Sequence, residues 1–271
     1  MSWNIDMFRE LRGQRTAVAL DYLRDFEARK SRPTIIMLNE MKQPSLALIQ
    51  GQKWVQDGYH ITDLRGEKWT PGTTGYGTTM LVPKSMPVKV IFRVPYPNTL
   101  AGRDGLFVDI ALPEGKTLRL CSTHLESLKA KNPRRPGQLQ IAAGFMKQAD
   151  ASLLAGDLNA IEDFDKTLHL DNDLKDAYLE NGGQEGAEEG MTWGQMAAPR
   201  DRRAYGLGRL DKILFCGDLT LEAQGFRTFG LDVVLEGEEG RELVEAGSEN
   251  VEKAWVTDHL GVMADFSTAI Q

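Results

Sequence analysis

Six places in the sequence share one arrangement, an apolar strand-like run that stops in a carboxylate, an amide or an imidazole. They are Trp3-Asn4-Ile5-Asp6, Met37-Leu38-Asn39-Glu40, Ser122-Thr123-His124-Leu125-Glu126, Ala155-Gly156-Asp157-Leu158-Asn159, Arg209-Leu210-Asp211 and Thr257-Asp258-His259. A single carboxylate at a strand end most often caps a helix or faces water, and a lone histidine there is usually satisfied structurally. The set says more. The chain has only four histidines, and two of them, His124 and His259, stand in these positions.

Together these residue types suffice to hydrolyse a phosphodiester. A hard divalent cation takes oxygen ligands, which Glu40 offers with Asp258, Asp6 or Asn4, directly or through water. That donor list suits Mg2+, with Mn2+ as a substitute, and does not suit zinc. A general base must stand beside the attacking water. Asp157, with Asn159 two residues on, places an acceptor and an orienting amide on the same side of an extended segment. His124 and His259 can donate to non-bridging phosphoryl oxygens, and Asp211 can fix the tautomer of His259.

These groups need strands to carry them. Residues 34–38 form a continuous apolar, partly β-branched run, the pattern of a strand covered on both faces. Further strands are predicted at 78–82, 88–94, 106–112, 117–122, 152–155, 209–216, 219–226 and 260–266. Ala19, Tyr22, Leu23 and Phe26 fall on one stripe of a helix over 14–30. Other helices are predicted at 44–56, 136–149 and 238–245, and residues 182–190 read as a mobile acidic loop without chemistry. So many strands, with hairpins mixed among helices, predict a two-sheet α/β sandwich flanked by helices, and not an alternating parallel barrel.

Composition agrees with one globular unit. Apolar residues make up 41% and charged residues 26% of 271, with no linker-like stretch and no internal repeat, so a single domain over 1–271 is expected. No apolar run approaches the roughly 20 residues needed to cross a bilayer, and the start has neither a basic leader nor an apolar stretch, which predicts a soluble chain with no membrane partner. Cys121 and Cys216 sit in apolar strand-like runs and are expected to be buried free thiols of a reducing, intracellular compartment. The net charge of -7 hides an asymmetry: residues 1–150 hold 22 Lys and Arg against 14 Asp and Glu, the remainder 10 against 25. A basic face for a phosphate polymer is compatible with that average, as are two ordinary solvated faces.

In this order the motifs resemble the endonuclease/exonuclease/phosphatase superfamily, to which deoxyribonuclease I belongs, from Asn4 to His259. Within it the likeness is to the tyrosyl-DNA phosphodiesterase 2 family, carried by Trp3-Asn4-Ile5-Asp6, Thr123-His124-Leu125-Glu126-Ser127, Thr192-Trp193, Arg209-Leu210-Asp211-Lys212-Ile213 and Asp258-His259. The resemblance implies a deoxyribonuclease I-like fold and a magnesium-dependent monomer that removes 5'-phosphotyrosyl adducts from DNA with a single-stranded 5' terminus. A nuclear location is implied only in this way. Glu40 becomes the main metal ligand, supported by Asn4, Asp6 and Asp258. Asp157 and Asn159 become the water-activating pair, His259 a phosphoryl donor partnered by Asp211, and His124 a contact near the leaving group. Tyr76, Arg103 and Trp193 would line the groove for the 5' end, although plain core packing explains Tyr76 and Trp193 about as well.

Three departures accompany the likeness. Asn39 stands where the family usually has glutamine before Glu40. Ala160-Ile161-Glu162 lacks the arginine that usually follows the Asp157/Asn159 pair, so phosphate binding would lean on Arg103 or another cation. Only two residues precede Trp3, which implies a trimmed catalytic domain. The basic clusters Lys129, Lys131, Arg134, Arg135 and Arg200, Arg202, Arg203 could steer DNA backbone, Arg203 and its neighbours more than the first. Alternatives are an abasic-site or RNA-end nuclease, a phosphoinositide phosphatase, or a catalytically silent binding module of the same fold.

Overall fold

The computed structural model describes residues 1–6, 8–29, 32–72, 75–247 and 249–268. The chain opens with β1 (Ser2–Asn4), α1 (Arg12–Glu27), β2 (Ile36–Met41), α2 (Gln43–Gly51), α3 (Lys53–Gly58), β3 (Tyr59–Ile61) and β4 (Gly77–Pro83). It continues through β5 (Val88–Pro95), β6 (Asp104–Ala111), β7 (Thr117–His124), α4 (Arg135–Met146), β8 (Ala151–Asp157), α5 (Leu168–Asp171), β9 (Lys175–Asp176) and α6 (Ala177–Glu180). The last part holds α7 (Pro199–Tyr205), β10 (Asp211–Gly217), β11 (Leu219–Leu221), β12 (Arg227–Phe229), α8 (Gly237–Ala246), β13 (Gly261–Met263) and β14 (Phe266–Thr268).

Two mixed sheets of six strands result, ordered β12-β13-β1-β2-β4-β3 and β5-β6-β7-β8-β10-β9, with β11 and β14 as a separate ribbon. This is the expected two-sheet α/β sandwich. Its cause is visible along single strands, where alternate side chains enter different cores. Met37, Met80, Val108, Leu120, Ala155 and Ile213 meet between the sheets. Their chain neighbours Ile36, Leu38 and Leu81 face α1 and α2, while Phe107, Cys121, Leu154 and Leu214 face α4. Strands apolar at every position therefore lie covered on both sides.

Strand direction decides where the polar tips fall. β1 and β2 are parallel, and β13 runs antiparallel to β1. β7 and β8 are parallel, and β10 runs antiparallel to β8. Each sheet thus brings two strand ends and one strand start, with the residues just outside them, to its own rim. The two rims are stitched by Asn39 of β2, whose Nδ2 donates to the Thr123 carbonyl at 3.1 Å and whose Oδ1 accepts from the Asp157 N–H at 3.2 Å.

Several expected elements differ in extent. The helix expected over 44–56 divides at Gln52, which is extended (φ -77°, ψ 119°). The strand expected over 219–226 ends at Leu221, because Gln224 takes φ 56° and the Gly225 N–H turns back to the Glu222 carbonyl. The 182–190 loop is anchored by Glu185, which pairs with the buried Arg209. Cys121 is buried and Cys216 half-buried, both free. Among the described residues no helix is long and apolar enough to cross a membrane.

Asn39→Leu keeps the branched heavy-atom skeleton but strands the Thr123 carbonyl and the Asp157 N–H between the sheets. The expected loss is about 1–3 kcal/mol in urea denaturation, the penalty for buried polar groups left unpaired.

Candidate active site

Cross-strand register builds the centre. His124 stands beside Asp157 in the β7–β8 pair, and Asp211 stands opposite Asp157 in the β8–β10 pair. Three titratable groups on neighbouring strands therefore occupy one row at the rim of the second sheet. The row is tight because residue 156 is glycine: a Cβ there would lie 1.7 Å from the Thr123 carbonyl oxygen. The first sheet supplies Asn4, whose Nδ2 donates to Asp157 Oδ2 at 3.1 Å and reaches Glu40 Oε1 at 3.4 Å.

Asp157 is the hub. Its Oδ2 also lies 3.3 Å from His124 Nε2 and 3.8 Å from His259 Nε2, while its Oδ1 accepts from the Asn159 N–H at 2.8 Å. Burial alone would push its pKa up. His124 and His259, with the hydrogen bonds from His124 and the Asn159 backbone, outweigh burial and hold the carboxyl well below the usual range. Asp157 therefore stays ionised although it is almost fully enclosed.

The two imidazoles differ. Burial opposes charge on His259, yet Asp211, Asp157 and Asp258 together raise its pKa well above the ordinary value. Its Nδ1 lies 2.8 Å from Asp211 Oδ2, so the ring is oriented as well as charged. His124 goes the other way, because burial and then the Arg103 guanidinium lower its pKa more than Asp157 raises it. One histidine is poised as an imidazolium and the other as a neutral ring. His124 Nδ1 is buried and has no hydrogen-bond partner. Beneath them, burial raises the Asp211 carboxyl to about 6, with His259 opposing and Asp157 adding to the rise. The Asp211 N–H donates to Thr192 Oγ1 at 3.0 Å.

A second group of carboxylates flanks this row. The pKa of Asp6 is raised to about 7, first by burial and then by the charges of Asp258 and Glu40, despite an opposing ion pair with Arg9 at 2.8 Å. Three acidic side chains are thus held close enough to repel. Asp6 and Glu40 also have left-handed backbone, φ 45° and 59°, and Asn159 has φ 47°. Glu40 sits where β2 slips its register with β4 between Leu38 and Met41, a bulge that re-aims the side chain. Such conformations cost about 1–3 kcal/mol each and collect where function demands them. Asp258 is fixed by Trp193, whose indole N–H donates to Oδ2 at 2.8 Å.

Repelling oxygen donors on strained backbone fit a hard divalent cation. Asp157, Asp211 and His259 also offer ligand atoms within 4.8 Å of one another. Their atoms are already engaged with each other, with Asn4 and with His124, so that group reads better as a proton-holding network. Glu40, Asp6 and Asp258 are the second set of oxygen donors, linked electrostatically through Asp6.

The substrate-facing candidates divide. Tyr76 packs its ring 5.8 Å from the His124 ring, and the Arg103 guanidinium lies 5.1 Å over the Tyr76 ring. Arg103 is buried, its Nε has no hydrogen-bond partner, and it has no ion pair among the described residues. Trp193 orients Asp258 and carries Tyr205 edge-on at 6.3 Å. Arg203 lies exposed on α7, and among the described residues no hydrogen bond or ion pair joins it to the row. Arg135 is withdrawn from its basic cluster, buried in ion pairs with Asp165 and Glu162. Sequence reasoning missed Arg9, which bridges Asp6 and Glu249, and gave no role to Glu126, which accepts from Thr99 Oγ1 and the Leu100 and Ala101 N–H groups. The three-residue spacing of Asp6 and Arg9 was the one available signal.

The sequence matches the endonuclease/exonuclease/phosphatase family over residues 1–259. The chain belongs to this family. Similar solved structures include a D. rerio TDP2 humanized by 14 mutations, at 20% identity and TM-score 0.72, covering 98% of this chain and 97% of that one. D. rerio TDP2 with a single-strand DNA product is 19% identical, with TM-score 0.71 and the same coverage. A truncated Caenorhabditis elegans TDP2 is 20% identical, with TM-score 0.70, covering 99% of this chain and 96% of that one. At these identities they establish the shared fold. No curated protein matches the sequence. Family membership supports phosphodiester hydrolysis as the reaction class.

The carboxylate cluster makes cation-free stability pH-dependent. The folded Asp6 carboxyl, raised to about 7, binds its proton more tightly than the unfolded one near 3.8. Its contribution is therefore intact below about pH 4 and is lost as pH rises towards 7. Thermal melts in a chelator should decline over that interval, and added Mg2+ or Mn2+ should restore the midpoint at pH 7 by mass action. A Glu40→Gln variant should gain less from the cation.

Proposed function

We propose that this protein is a Mg2+-dependent phosphodiesterase that hydrolyses 5'-phosphotyrosyl ends of single-stranded DNA. The observation that carries the reading is an enclosed Asp157, its carboxyl held below the ordinary range, between two imidazoles driven in opposite directions and next to a strained carboxylate cluster. The likeness to TDP2 structures, one holding a single-strand DNA product, supports the choice of substrate.

Asp157 orients the attacking water, with Asn4 and the Asn159 backbone holding the carboxylate in place. A carboxylate with so depressed a pKa retains a proton poorly. It serves by aligning the water and passing the proton on during attack. His259, kept charged by Asp211, donates to the developing charge on the phosphoryl oxygens. Glu40, Asp6 and Asp258 would hold Mg2+, which supplies further stabilisation of that charge. Arg103 offers a buried positive charge to the phosphate, taking the place of the arginine missing after Asn159. The tyrosyl phenol, with a reference pKa near 10, departs with less protonation than a sugar alkoxide requires. A neutral His124 beside the site suits such a leaving group.

The test compares turnover on 5'-phosphotyrosyl oligonucleotide, abasic duplex and inositol phosphates. Preference for either of the latter two would replace the substrate assignment. On the phosphotyrosyl strand, Asp157→Asn and Glu40→Gln should each lower kcat by about 10²-fold or more. Asp211→Asn removes the charge that keeps His259 protonated, so the alkaline limb of the pH–rate profile should move to lower pH. An unmoved limb would contradict the role given to that pair.

A further inference from the structure

On the α1 side of the first sheet, an aromatic cluster reaches the sheet's edge. Tyr22 and Phe26 of α1 stack on Phe229 of β12 at 6.0 and 6.4 Å, and Trp3 of β1 meets the same ring edge-on at 5.3 Å. Between α1 and residues 227–236 runs a groove of ≈ 710 Å³, lined in part by Tyr22, Phe26, Phe229 and Val233. Leu231 also lines it and is 47% exposed. The groove therefore offers open apolar surface.

Its border is acidic. Asp21, Asp25, Asp232 and Glu236 line it and are all exposed, against one lining cation, Arg227. Part of that charge is already met: Arg24 pairs with Asp21 at 2.6 Å and with Asp25 at 3.0 Å, Arg227 lies 3.5 Å from Asp265, and the charges of Arg29 and Asp232 both reach Tyr22. Carboxylates still outnumber cations, and Asp232 and Glu236 have no ion pair among the described residues. β12 adds a third feature. It is the outermost strand of the first sheet and pairs with β13 alone, so its other edge presents main-chain donors and acceptors.

We propose that this groove docks a basic peptide segment carrying a bulky apolar anchor, extended along β12. The aromatic floor takes the anchor, Asp232 and Glu236 take Lys or Arg, and the strand edge favours a peptide over other cations. Phosphates of a nucleic acid or of a lipid surface would meet the same carboxylates and be repelled. Docking there is independent of the reaction at Asp157.

The test selects random peptides about a dozen residues long, displayed on phage, against the full chain, and measures the affinity of each selected peptide by fluorescence anisotropy. They should combine Lys or Arg with Leu, Phe or Trp. Binding should weaken by about 10-fold or more when Asp232→Lys and Glu236→Lys are combined, and by about 3-fold or more in Leu231→Ser. These side chains are exposed and lie outside the catalytic row, so the variants should fold and keep their basal turnover. Spermine, a cation without a peptide main chain, should displace the peptides far less well than an unlabelled copy does. Selected peptides that are acidic or uncharged, or that bind the variants as they bind wild type, would overturn the proposal. So would equal displacement by spermine. A wild-type dimer in sedimentation velocity that the charge-reversed variant dissociates would show a second copy of the chain in the groove, and would overturn it as well.

Discussion

One carboxylate oxygen holds the two sheets of this protein to a common purpose. Asp157 Oδ2 accepts from Asn4 of the first sheet and lies within 4 Å of an imidazole from each rim, in an almost fully buried position. Charge in such a place is costly unless its partners are pre-aligned. Every feature around it serves that alignment. Gly156 lets β7 and β8 close, Asn39 ties the rims, and Thr192 braces the Asp211 backbone that orients His259. If Asp157 shifted, the histidines would lose both their placement and their contrast in charge.

That contrast has a simple electrostatic origin. His259 is surrounded by carboxylates and His124 by an arginine and an aromatic ring, so similar burial yields opposite shifts. Pairs of groups driven apart in this way mark the division of labour in hydrolytic sites. The same logic separates the two acidic groups. Around Asp157 the donors balance the charge, whereas the charges of Asp258 and Glu40 raise Asp6 despite its ion pair with Arg9. That difference is what favours the second set in the proposed placement of the cation.

Much of this was legible in the chain because strand tips announce themselves. A run such as Met37-Leu38 is apolar on both faces and then stops at Asn39-Glu40, and six such stops in the order of a known family leave few topologies. What could not be read is whatever depends on pairing at a distance. Asn39 meets Asp157 across 118 positions, and nothing in either segment signals the contact. Arg135 looked like one charge of a basic run, but charge counts carry no information about facing, and it turns inward to Asp165. The acidic loop looked idle until Glu185 met Arg209. Trp193 shows the same limit. Its indole N–H meets Asp258 across 65 positions, a contact that neither segment signals.

The account turns on where the cation sits. Anomalous diffraction from crystals soaked in Mn2+ would locate it directly. The expected result is a peak within about 2.3 Å of a Glu40 oxygen, shared with Asp6 or Asp258 directly or through water, and absent from Glu40→Gln crystals. A peak centred instead between Asp157, Asp211 and His259 would show that the network assigned to proton handling is the metal site, and the division of roles drawn from it would be wrong.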